Sequence, residues 1–165
     1  MPGVNPTDAD REAAARAVTI PADALEKMRV ACVSTTSSSE AATACRLLAT
    51  LHAEGMSGFA RDAEQARRLF ERSSQHLLRA CDAGDYQACA VEGGMNAMKL
   101  RTLDPSSARA KEWAGATIPL LDKACRAGVK RCCGDLADIY EVGRGIGRDR
   151  IKATAYRVQS EPSVP

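Results

Sequence analysis

The spacing of the cysteines constrains this chain more than any other feature of its sequence. Cys45, Cys89 and Cys133 follow one another at intervals of 44 residues, and the same interval separates Cys81 from Cys125. One period therefore accounts for five of the seven cysteines. Fixed periods of roughly 20 to 50 residues are typical of repeat architectures, in which each unit buries its apolar face against its neighbours. The sequence predicts an array of such units.

The pattern within each unit indicates helices. In the first and last units, residues suited to burial recur at i, i+3, i+4 and i+7, the spacing of one helix face. A loop containing glycine follows each such helix, and then a residue that can cap a second helix, which ends at another glycine. The buried-face residues are Cys45, Leu48, Ala49 and His52 in the first unit and Cys133, Leu136, Ala137 and Tyr140 in the last. The cap candidates are Asp62, Ser106 and Asp149, and the terminal glycines are Gly84 and Gly128.

Two further helices are predicted before the first unit. Thr7 can cap one near residues 8–17, and Pro21 suits the first turn of another near 22–33. A serine-rich run follows, in which Ser37 and Glu40 fit a capping box, although the run also fits a plain flexible loop. We predict an all-α helical-repeat solenoid of about eight helices in antiparallel pairs. Its parts are N-terminal capping helices and the serine-rich loop at 1–38 and repeats at 39–161, divided as 39–84, 85–128 and 129–161.

The last unit carries the motif by which the chain resembles a known family. It reads Ala124-Cys125-Arg126-Ala127-Gly128, followed by Cys133, Leu136, Ala137, Tyr140, Gly143, Gly145, Ile146, Asp149, Lys152 and Ala153. This pattern resembles the cysteine-rich bacterial branch of the Sel-like repeat family, which is related to tetratricopeptide repeats, over roughly residues 39–160. The middle unit departs from it, with Glu92 and Asn96 in place of leucine and tyrosine and without the Gly-x-Gly loop. The period is also longer than usual, because the second helix is extended by about two turns. The resemblance implies helix pairs stacked into a superhelix.

The cysteines fall into pairs that a disulfide can join only across a turn. Two residues eight positions apart on one helix lie about 12 Å apart, beyond the roughly 7 Å limit between the Cα atoms of a disulfide. Gly84 and Gly128 supply such turns. The 44-residue register favours Cys133 over the adjacent Cys132 as the partner of Cys125. It does not exclude a bond between Cys125 and Cys132. The predicted bridges are Cys32–Cys45, Cys81–Cys89 and Cys125–Cys133, with a free thiol at Cys132.

Charge and hydropathy disfavour several classes of function. The formal net charge is +2, with acidic and basic residues interspersed along the chain, whereas nucleic-acid binding needs a one-sided basic face. No run approaches the roughly 18 apolar residues of a membrane span. Zinc sites usually show paired C-x-x-C or H-x-x-x-H spacing, which is absent. We therefore expect no nucleic acid, no membrane span, no metal and no cofactor, and the sequence carries no signal for an oligomeric state.

The cysteine pairs favour a periplasmic or secreted protein, because structural disulfides persist mainly in oxidising compartments. Residues 1–30 show no basic segment followed by an apolar one, as a signal peptide would. A cytoplasmic location is therefore the alternative.

Catalytic motifs are missing from the chain. The resemblance implies a check for β-lactam chemistry, since the cysteine-rich branch has been associated with penicillin binding and weak β-lactam hydrolysis. No lysine has a serine three residues before it, as the Ser-x-x-Lys motif of serine β-lactamases requires. The glycine-rich run from Gly143 to Gly147 follows a predicted helix, whereas a phosphate-binding loop follows a strand. We expect no catalytic residues and no enzyme, with weak β-lactam or cell-wall amide hydrolysis as an alternative.

The predicted binding surface is the face of each first helix opposite to the buried one. Such helices usually line the concave side of a solenoid, where partners bind. This face has an apolar centre and an acidic end, unless Leu47 and Val91 only pack against neighbouring helices. We expect a non-enzymatic scaffold or adaptor that binds a protein or peptide; an immunity or inhibitor protein for a secreted toxin is the narrower alternative. The residues of the surface are Leu47, Thr50, Glu54, Val91, Gly94, Met98, Asp135, Asp138 and Val142.

Overall fold

A computed structural model describes residues 19–161, and within that range the chain is all-helical, with seven helices and no strand. This confirms the predicted all-α class. The helix predicted near 8–17 lies outside the described residues. The helices are α1 (Ala22–Val33), α2 (Ser39–Glu54), α3 (Ala63–Asp82), α4 (Tyr86–Arg101), α5 (Ala108–Arg126), α6 (Lys130–Val142) and α7 (Arg150–Ser160).

The helices form two compact units, one ending at His76 and the other beginning at Leu77, so the boundary falls within α3. In the first unit, α1 packs against α2 around a small apolar core. Buried polar side chains of α3 bond to both helices: Ser73 Oγ donates to the Ala42 carbonyl at 2.8 Å, and His76 Nε2 donates to the Cys32 carbonyl at 3.0 Å. The core cluster consists of Cys32, Ala44, Cys45, Leu48 and Leu51.

In the second unit, consecutive helices from α4 to α7 pack against one another, and α4 also contacts α6. Small residues allow the close approach: a Cβ atom on Gly93 of α4 would come within 3.0 Å of the Leu121 side chain on α5. The terminal helix α7 is held by Tyr156, whose hydroxyl donates to Asp122 at 3.0 Å and whose ring stacks on Tyr140. Because aromatic residues are only 4% of the chain, alanine and leucine supply most of this core.

The helix caps agree with the sequence in kind and differ from it by one residue in three places. Ser38, not Ser37, caps α2 by accepting from the Ala41 N–H, and Ser107, not Ser106, caps α5. Pro21 stands at the cap position of α1, one residue before the predicted first turn. The sequence alone does not distinguish adjacent serines as helix caps, because the hydroxyl of each could accept the same backbone hydrogen bond. Two further cap candidates are confirmed, while Thr7 lies outside the described residues: Asp62 accepts from the Gln65 N–H at 2.9 Å, and Asp149 from the Lys152 N–H at 3.0 Å.

Three disulfides join the end of one helix to the beginning of the next. They are the predicted pairs, Cys32–Cys45, Cys81–Cys89 and Cys125–Cys133, with Cα atoms 4.7, 4.8 and 4.9 Å apart. Gly84 and Gly128 lie inside the two shorter loops with positive φ angles of 97° and 91°. Cys132 is the free, buried cysteine. The structure thus resolves the choice between Cys132 and Cys133 in favour of Cys133.

The glycine-rich loop after α6 is a packing element. Gly143 ends the helix in the left-handed conformation, and Gly145, with φ of 68°, donates its N–H to the Pro105 carbonyl at 2.8 Å. A Cβ atom on Gly145 would lie 2.1 Å from the Ala110 carbonyl oxygen of α5. The loop therefore lies directly against the first turn of α5.

Candidate functional site

The predicted surface residues of the first unit lie on the outer side of α2. Leu47 is half exposed, so it does not simply pack against a neighbouring helix. Thr50 and Glu54 are exposed, and the Thr50 hydroxyl donates to the Arg46 carbonyl one turn back at 3.0 Å. This part of the predicted surface is accessible.

In the second unit the predicted faces of α4 and α6 adjoin. A Cβ atom on Gly94 would lie 3.5 Å from an Nη atom of Arg131, so the Arg131 side chain extends over α4 at a position that has no side chain. Further along, Arg101 at the end of α4 pairs with Asp135 of α6 at 2.7 Å. The two helices therefore present one continuous face, which we call the α4–α6 face: Val91, Gly94, Met98 and Arg101 from α4, and Arg131, Asp135, Asp138 and Val142 from α6.

The acidic end predicted for this face carries cations as well. Arg101 also reaches Asp138 at 3.3 Å, and Arg157 of α7 lies 3.6 Å from the same carboxylate. The sequence pattern could not identify these partners, because it relates only residues three or four positions apart on one helix, and these arginines lie on other helices. The end of the face is therefore a mixed cluster of ion pairs.

Burial alters the acid–base properties of two groups on α6. It raises the pKa of the Asp135 carboxyl, and Arg101 offsets only part of that shift. Burial also raises the pKa of the Cys132 thiol, and the nearby Asp135 charge adds to the effect. A thiol whose pKa is raised has little thiolate at neutral pH, and the thiolate is the nucleophilic form. Cys132 is therefore placed as an unreactive core residue.

Large apolar side chains remain exposed on both helices of the face. Met98 is 65% exposed and Val142 is 46% exposed, while Val91 is partly buried. Behind them, Glu92 and Asn96 are buried at the positions where the repeat pattern expects leucine and tyrosine. The predicted middle repeat, residues 85–128, is therefore helical although these two buried positions are polar.

A second feature, which the sequence did not reveal, is a cavity of about 690 Å³ in the first unit. It lies among α1, α2, α3 and the loop between α2 and α3. Its walls are mostly apolar, and two arginines, Arg29 and Arg72, line it. Its lining residues come from positions up to 47 apart in the sequence, so no local motif could have identified them.

Within residues 19–161 no cluster of three or more histidine, cysteine or acidic side chains is arranged to hold a metal ion. In the same range no helix is long and apolar enough to cross a membrane. Both histidines have a buried Nδ1 atom without a hydrogen-bond partner among these residues. His52 stands edge-on to the Phe59 ring, with 4.8 Å between the ring centroids.

No known protein-family model matches this chain. No curated protein matches it at a significant level either.

Proposed function

We propose that this chain is a Sel-like repeat protein that binds a protein or peptide partner without catalysing a reaction. The α4–α6 face is the single observation that carries the proposal. Two non-consecutive helices lie side by side there, as the first helices of successive repeats do, and their outward sides remain accessible. In a repeat array this side is the usual binding surface.

The chemistry of the face suits a protein partner. Met98 and Val142 supply exposed apolar area, and methionine adapts to irregular surfaces. Arg101, Arg131 and Asp138 on the same two helices add charge of both signs to the face. Protein interfaces commonly have an apolar centre within a polar rim, with Met and Arg enriched.

The three disulfides support a location in the cell envelope or outside the cell, because such bridges are typical of oxidising compartments. The partner would then be an envelope or secreted protein. A secreted toxin that the chain inhibits is a special case of the same binding function.

The test is capture of partners from the envelope and secreted fractions of the source organism under non-reducing conditions, with three baits. These are the wild type, Met98→Glu on the face, and Ile151→Glu as a control; Ile151 is 85% exposed on α7. We expect the wild type and the control to retain the same protein, and Met98→Glu to bind it about tenfold or more weakly, because a charge at an interface centre is costly. Recovery of no protein, or equal affinity for all three baits, contradicts the proposal.

A further inference from the structure

The cavity of the first unit has fixed walls. Cys32, one of its lining residues, is bonded to Cys45, which joins α1 to α2. The loop on the opposite side is tied down twice: the Asp62 N–H donates to the His52 carbonyl at 2.8 Å, and Arg61 Nε donates to the Ala53 carbonyl at 2.9 Å. The cavity therefore persists as a shaped space, and its volume falls within the range of roughly 300 to 1,000 Å³ that small-molecule sites occupy.

The lining of the cavity is more apolar than polar, with His52, Ser57 and Gln65 as its uncharged polar members. Leucine, valine and phenylalanine side chains from all three helices and the loop line it, and several of them belong to the rim of the apolar core. An aliphatic or aromatic group that entered the cavity would leave water for hydrocarbon surroundings, which is favourable. The apolar lining residues are Leu25, Val33, Leu48, Phe59, Ala60 and Leu69.

The charged side chains that line the cavity in the described part of the chain are both basic. Arg29 of α1 and Arg72 of α3 both line the cavity, and among residues 19–161 no aspartate or glutamate does. Arg72 makes no hydrogen bond or ion pair with any residue in the described part of the chain. Arg29 has Glu26 at 3.9 Å, with both side chains largely exposed, and such a pair contributes little. Two guanidinium groups beside an apolar space favour an anion, and guanidinium pairs with carboxylates in a bidentate geometry.

We propose that this cavity binds a small apolar carboxylate, a molecule with a hydrocarbon or aromatic body and one carboxylate group. The body lies against the leucine and phenylalanine side chains, and the carboxylate pairs with Arg72 and Arg29 at the mouth. This site is separate from the α4–α6 face and does not depend on the function proposed for it.

The test uses octanoate as the probe and 1-octanol as its uncharged counterpart, with binding to the full, oxidised chain followed by NMR chemical-shift changes. We expect saturable shifts at the lining residues, with octanoate bound more tightly than octanol. Arg72→Gln should weaken octanoate binding about five- to tenfold, since a charge-assisted hydrogen bond is lost, and should leave octanol binding unchanged. Arg68→Gln is the matched control, because Arg68 lies on the same helix outside the lining and is engaged with Glu64.

Three results would overturn the proposal. The first is the absence of saturable shifts at the lining residues up to millimolar octanoate. The second is equal affinity for octanoate and octanol, which would leave the arginines without a role. The third is equal weakening by Arg72→Gln and Arg68→Gln. Unchanged melting temperatures of both variants establish that their binding is compared in the folded state.

Discussion

Gly145 combines a positive φ with the closest backbone contact of any glycine in the described range. A methyl group there would overlap the Ala110 carbonyl oxygen, and the left-handed conformation would cost a side chain further energy. We expect Gly145→Ala to lower the free energy of unfolding by about 2–4 kcal/mol, measured by denaturant titration of the oxidised protein. Gly147→Ala is the control, because a Cβ atom there meets nothing within 4 Å. Equal stability of the two variants would contradict the packing role of this loop.

Ionisation of Asp135 makes the free energy of unfolding fall as pH rises, whereas ionisation of a salt-bridged surface acid makes it increase. Burial raises the pKa of its carboxyl, so around that pKa the folded state binds more protons than the unfolded chain. Its contribution to the free energy of unfolding is therefore present at low pH and falls as pH rises through the folded pKa. We expect the stability of the wild type relative to Asp135→Asn to decrease as pH rises from about 3.5 to 7, in denaturant titrations at several pH values.

Glu141 provides the control for that experiment. Arg148, which donates to it at 2.9 Å, lowers the pKa of the Glu141 carboxyl. Its contribution is present above the usual glutamate pKa and is lost as pH falls through the lowered value. The stability of the wild type relative to Glu141→Gln should therefore increase with pH. Slopes of the same sign for the two variants would show that Asp135 is not buried as the structure places it.

At the scale of the helices, the sequence correctly predicted the three disulfide bridges. The 44-residue register related five of the six bridged cysteines to one another, all but Cys32, and the glycine turns at Gly84 and Gly128 made two of the pairings geometrically possible. Helix ends were less certain, because adjacent serines, such as Ser106 and Ser107, offer the same hydroxyl to the same orphan N–H groups. The contact of α4 with α6 could not be read from the sequence, since ion pairs such as Arg101 with Asp135 join residues 34 positions apart.

The bridges predict a clear chemical result. Alkylation of the unfolded but unreduced chain should label one cysteine, Cys132, and the variant Cys132→Ala should take up no label. Reduction should lower the melting temperature by many degrees, because bridges that close loops of this length contribute about 2–3 kcal/mol each. Seven labelled thiols together with an unchanged melting temperature would contradict the bridges and favour the cytoplasmic alternative.

At the scale of the molecule, the sequence predicted the all-α class of the fold. Helical periodicity identifies which residues face inward, and Leu47 and Met98, which it places on outward faces, are exposed. Ion pairs between helices and the cavity lined by several helices depend instead on which helices pack against one another. Arg29 and Arg72 converge on one cavity only because α1 and α3 both pack beside α2, and a pattern along a single helix contains no information about such a meeting.

The disulfides also determine how the chain can be oxidised as it emerges during synthesis or export. Six cysteines can pair in 15 ways, yet here the first cysteine of each bridge has its partner only 13 or 8 residues further on. The first two bridges can close before any later cysteine appears. Only at the third does a competitor arrive ahead of the correct partner, since Cys132 precedes Cys133.

Cys132 is therefore the one point at which oxidation of the emerging chain can take a wrong course. The variant Cys132→Ala should reach the fully bridged state faster than the wild type in refolding from the reduced chain, with the intermediates trapped by alkylation and identified by mass. Wild-type intermediates should include a transient Cys125–Cys132 bond, and identical time courses for both chains would rule out that competition. The order of the cysteines along the chain makes each correct partner the next cysteine to appear, except for Cys133, which Cys132 precedes.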